Sequence, residues 1–130
     1  MRAIVICTTL LMFITPCVAQ QSEADQIKDQ TSTLLARQEF SQLNALAEGY
    51  RLTGAKTENG IPKLALFYAG MERLPMGDAA REQQWRAILS FAERWVQLAP
   101  SPAAYIELAK MHLRYAWEQH GAEEIGRAHV

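Results

Sequence analysis

Apolar side chains recur every three or four residues along most of the chain from residue 22 onward, the period of helices with one buried face. Residues 22–38 place Ile27, Leu34 and Leu35 in a polar background, and after a break at "QEF" the stretch "FSQLNALAEGYRL" spaces Phe40, Leu43, Leu46, Ala47 and Tyr50 helically. These two segments predict an antiparallel helix pair, the second closed by Gly54 in the left-handed conformation. Asn59-Gly60 marks a turn, and Pro62 suits the first turn of a third helix, "PKLALFYAGMERL". Asp78 is the expected N-cap of a longer helix over residues 79–99, whose stripe is Trp85, Ile88, Leu89, Ala92, Trp95, Val96 and Ala99. Pro100 ends it, and Ser101 with Pro102 starts a fifth helix that is expected to run to Gly121 and to bury Ile106, Ala109, Leu113, Ala116 and Trp117. No run alternates apolar and polar residues over strand length. The predicted fold class is all-α, about five helices in antiparallel hairpins.

The two ends read differently from this body. "MRAIVICTTLLMFITPCVAQQS" has a positive start at Arg2, an apolar run over residues 3–14, a break at Pro16 and small residues at Cys17 and Ala19. This is the pattern of a secretory signal peptide over residues 1–19, cleaved after Ala19. The apolar run falls short of the roughly 20 residues that a membrane-spanning helix needs, so an uncleaved anchor is the lesser alternative. At the other end, "IGRAHV" is the translation, in this frame, of a common short-read sequencing adapter that then reaches a stop codon. Residues 124–130 are therefore expected to be read-through, with Glu124 straddling the junction, and the helical domain over residues 20–123 is expected to be incomplete.

Removing both ends changes the balance of charge only slightly. The 13 basic and 14 acidic residues lose Arg2, Arg127 and Glu124, which leaves 11 and 13. Basic residues are scattered among acids and glutamines, whereas a nucleic-acid surface concentrates them. Cys7 and Cys17 both fall in the leader, so no disulfide, thiol chemistry or cysteine-based zinc site is expected in the remainder. About 100 residues without disulfides must hold together by packing alone.

"LAPSPAAYIELAKMHL" resembles the junction between two tetratricopeptide repeats: a proline closes one unit, and Tyr105, Leu108, Ala109 and His112 follow at the spacing of the next. The likeness covers about half a repeat. It weakens at Trp95, where such repeats have a small residue. Over most of the chain the order "FSQLNALAEGYR", "NGIPKLALFYAG", "ERWVQLAP" and "YAWEQHG" is similar to uncharacterised bacterial exported proteins with tetratricopeptide-like helical hairpins, the nearest label being domain of unknown function 4034. That resemblance implies a fold type, a bacterial envelope setting and a further helix after "AWEQHG"; it implies no activity.

No catalytic constellation stands out. His112 and His120 lie near Glu107, Glu118 and Glu123, but histidines eight apart on a helix are about 12 Å apart along its axis, too far to share a zinc at roughly 2 Å each. His112 is instead expected to be a ring packed in the hairpin, and His120 a cation at a helix C-terminus. Neither a nucleophile elbow nor a phosphate loop is present. Most of the aromatic residues are expected in the core. Tyr68 and Tyr115, which fall off the apolar stripes, with Arg51, Arg94 and Arg114 at a polar rim, are the candidate partner-binding residues. The sequence thus points to an exported, periplasmic or extracellular, non-enzymatic module without cofactor or metal that binds a protein or peptide, and not nucleic acid. The alternatives are an envelope enzyme with catalytic groups beyond residue 123, and a structural adaptor that assembles with copies of itself. The adapter reading predicts that a long read across the 3′ end of the gene in the source DNA continues in frame beyond the Glu123 codon; a genomic stop directly after "IGRAHV" would refute it.

Overall fold

A computed structural model describes residues 20–73 and 80–127, with side chains to residue 121. The signal-peptide assignment and the Asp78 cap lie outside the described residues. Five helices follow one another: α1 (Glu23–Ala36), α2 (Phe40–Thr53), α3 (Lys63–Gly70), α4 (Arg81–Leu98) and α5 (Pro102–Arg127). The fold is all-α; among the described residues the sole β-type pairing is one isolated antiparallel bridge, Lys56 to Pro62, around the Asn59-Gly60 turn.

Local chemistry sets most of the boundaries. Ser22 caps α1 by accepting from the Asp25 amide. At its other end Gln38 takes a positive φ of 56°, and the amides of Gln38 and Glu39 bond back to the carbonyls of Leu35 and Leu34. This double closure normally uses glycine, and the sequence shows none there. Gly54 ends α2 at φ 59°, as expected. α3 is shorter than predicted, giving way to a turn at Met71 and Glu72, and Pro62 is its N-cap residue instead of its first helical one. Ser101 caps α5 by accepting from the Ala104 amide at 3.1 Å. The predicted stop at Gly121 is not observed, because one helical glycine costs only about 1 kcal/mol and good helix formers follow it.

The helices assemble in two sets. α1 and α3 run parallel: Glu23 pairs with Lys63 at their starts, and the hydroxyl of Ser32, late in α1, donates to the carbonyl of Arg73 just beyond α3. The backbones come so close that a β-carbon on Gly70 would sit 2.6 Å from the Lys28 carbonyl oxygen. α4 and α5 form an antiparallel hairpin, since Arg81 at the start of α4 reaches Glu118 late in α5. Between the sets lies the core, with Leu35, Leu43, Phe67, Met71 and Trp95 fully buried. Trp95 stacks on Phe40 at 6.2 Å and meets Phe67 edge-on at 6.4 Å. The α4 stripe packs as predicted, with Ile88, Ala92 and Trp95 buried and the rest half-buried.

Two glycine substitutions separate close packing from helix propensity. Gly70→Ala forces apart backbone that cannot yield and lowers stability by about 1–3 kcal/mol. Gly49→Ala, within α2 and with nothing within 4 Å of its new methyl, raises stability by up to about 1 kcal/mol. Urea unfolding of the two variants beside the parent chain checks both signs.

Candidate functional site

α5 carries two stripes of different character, and the chain buries the one that the pattern did not select. Ala103, Ala104, Glu107 and Met111 face the core. Ile106, Leu113 and Trp117, expected inside, are 52%, 61% and 71% exposed; Ala109 and Ala116 are exposed with them. Tyr105 beside them is 57% exposed. The reason is steric. Ala103 and Ala104 let the start of α5 approach Trp95 and α2, and a helix tethered at Ser101 has one rotation that puts them there.

The exposed stripe meets a groove at Ile106. This groove, of about 460 Å³, lies between α2, α3 and the start of α5, with Ala47, Leu64, Tyr68, Pro102 and Ile106 among its lining and the Glu48–Arg51 ion pair at its rim. Its size and apolar walls suit a large side chain or a small organic group. Arg51 and Tyr68, two of the predicted partner-binding residues, converge here. Arg51 is held by Glu48 at 2.6 Å, which also holds the Glu48 carboxyl below its usual range. Tyr68 is half-buried against Phe67, and its phenol is pushed up by burial and by nearby Glu107.

The other three predicted residues do not join them. Arg114 lies 3.2 Å from Glu72 on the α3 side of α5. Tyr115 is half-buried in a separate small cleft between α4 and α5 with Trp85 and the Arg81–Glu118 pair. Arg94 is exposed on α4 and lines neither cavity. Two further expectations are corrected. His112 is exposed, because the rotation of α5 turns it outward, and His120 does not sit in a last helical turn, because α5 continues to Arg127. Among the described residues no group of three or more His, Asp or Glu is placed to hold a metal ion, and no helix is long and apolar enough to cross a membrane.

Glu107 is the residue that the sequence pattern understated. Its side chain is 0% exposed, and among the described residues neither carboxylate oxygen has a hydrogen-bond partner. Lys110 lies 3.6 Å away, but its ammonium is shared with Glu72 at 3.1 Å and donates to the Tyr68 carbonyl at 2.9 Å. Burial therefore pushes the Glu107 carboxyl from its ordinary 4.5 to about 7; Lys110 opposes the shift and Glu72 adds to it. Full burial bars it from any substrate, so its chemistry is expressed in stability. The folded state holds this proton more tightly than the unfolded chain does. Stability is then fully present below pH 4.5 and falls as pH rises through about 7. The loss is on the order of 3 kcal/mol at about 1.4 kcal/mol per pH unit. Glu107→Gln removes the titrating group, so the stability difference between pH 5 and pH 8 in urea unfolding shrinks by most of that amount; parallel pH profiles for the two proteins would contradict the assignment.

Comparison of the chain with protein-family models, with curated proteins and with solved structures gave no match in any of the three, so the reading of the site rests on its geometry and chemistry.

Proposed function

We propose that the protein is an exported helical-hairpin module that binds another polypeptide through the apolar stripe of α5 and the adjoining groove. The single observation that carries this reading is the exposure of Tyr105, Ile106, Leu113 and Trp117 along one side of one helix. Isolated exposed apolar residues are ordinary on protein surfaces, but large ones contiguous with an apolar groove mark a contact site. Aromatic anchors rimmed by arginine have the composition of interface hot spots. At the groove Glu48 is engaged by Arg51, and Glu107 nearby is sealed off. An envelope enzyme is thus the weaker alternative.

A tetratricopeptide-like arrangement fits this role. In such folds the first helices of successive hairpins lie side by side in the same direction, and the parallel α1 and α3, with α5 beside Tyr68 of α3 and Glu72 in the turn after it, support that reading. Stacked hairpins of this kind offer extended surfaces to partner chains. The leader-like first 19 residues support a place in the bacterial periplasm or outside the cell.

The test is photo-crosslinking in cells that export the protein. A photoreactive residue replacing Leu113 or Trp117 gives a discrete adduct, whereas one replacing Arg94 on α4 gives none. Adducts from neither stripe position, or from all three alike, would overturn the reading.

A further inference from the structure

The exposed stripe of α5 has the spacing of a coiled-coil seam. Pro102, Ile106, Ala109, Leu113, Ala116 and His120 are separated by four and three residues in alternation, so Ile106 and Leu113 take the a positions and Ala109 and Ala116 the d positions of successive heptads. All six lie on the side of the helix away from the core. In an antiparallel pair of helices, a positions of one strand stand opposite d positions of the other. If α5 is paired with a copy of itself about a two-fold axis level with Met111, Ile106 falls opposite Ala116 and Leu113 opposite Ala109. Each layer then holds one branched side chain and one methyl. That alternation of large and small fills space evenly and lets the backbones approach closely. The sequence is complementary to its own reverse, the condition for an isologous contact.

The geometry points to a second copy of this chain as the occupant of the stripe, the two molecules joined through antiparallel α5 helices. This rests on the reading of α5 as a docking surface and names its partner. Area and charge both support it. The four large side chains expose on the order of 400 Å² per copy, and the alanines and polar flanks bring a pair to about 1,000 Å², the lower bound of a specific interface. The same two-fold axis, perpendicular to the helices, also brings the Lys110 flank of one copy against the same flank of the other. Repulsion there is reduced because Lys110 and Arg114 both turn onto Glu72, at 3.1 Å and 3.2 Å. An interface at this lower bound belongs to the weak, reversible class.

The experiment uses the chain from Gln20 onward, which to Glu123 contains no cysteine, continued by whatever coding sequence the long read finds after that codon. Sedimentation equilibrium across the micromolar range gives a mass rising from one chain to two, and Leu113→Glu, at a position exposed in the single molecule, returns it to one with an unchanged thermal melt. Orientation is read by oxidation. Ile106→Cys together with Ala116→Cys yields a covalent dimer, whereas Ala116→Cys alone does not, since the two copies of residue 116 lie about 15 Å apart along the antiparallel seam. A dimer linked through Ala116→Cys alone means parallel helices and overturns the proposal. So does a chain that stays monomeric throughout. If it is monomeric while the photoreactive residue at 113 or 117 gives an adduct other than twice the chain's mass, the docking surface stands and the second copy is replaced as its occupant. If there is neither dimer nor adduct, both readings fall.

Discussion

The buried indole N–H of Trp95 must find an acceptor inside the protein, and the way it does so fixes much of the rest. It donates to the Asn44 side-chain oxygen at 2.8 Å; that oxygen also accepts from the Ser101 hydroxyl at 2.6 Å, while the Asn44 amide donates to the Ala99 carbonyl at 3.0 Å. One side chain of α2 thereby ties together the last turn of α4, the link after it and the cap of α5. Buried polar groups that are all satisfied specify one arrangement sharply, because any shift leaves a donor or acceptor unpaired at a cost of about 1–3 kcal/mol. The groove forms at this junction, with Asn44, Pro100 and Ser101 in its wall. The rotation of α5 follows from it too, and with that rotation come the outward Ile106 and the inward Glu107.

Much of the fold was legible along the chain because its signals are local. Ser22, Gly54 and Ser101 act within a few residues of themselves, and the α4 stripe has one apolar side, leaving one way to turn. α5 was misread for the opposite reason. Both of its sides carry apolar residues, so periodicity fixes a helix without fixing its phase, and only contact with Trp95 and α2 selects the smaller alanine side. Gln38 gives no warning of its left-handed backbone, since the closure of α1 is held by hydrogen bonds to Leu34 and Leu35 and not by a permissive residue.

The site was legible in part. Tyr68 was singled out for lying off the apolar stripes and Arg51 as part of a polar rim, and α2 and α3 bring them to the same groove. Tyr115 and Arg94 met the same two criteria and go elsewhere, because helical phase tells which way a side chain leaves its helix but not which helix stands beside it. Glu107 drew notice only as a carboxylate near His112 and His120. Its burial depends on Tyr68 and Glu72 of the α3 region and on Lys110 closing over it, and none of that can be read one helix at a time.

α5 is, in the language of energy landscapes, a frustrated element. Rotated by about half a turn, it would bury its larger apolar side and return Glu107 to water, while exposing Met111 and parting Lys110 and Arg114 from Glu72. The cap at Ser101 and the close fit of Ala103 and Ala104 forbid that rotation, so the conflict is held in place and not resolved. On the reading proposed for this stripe, the free energy forgone on the outer side remains available for association.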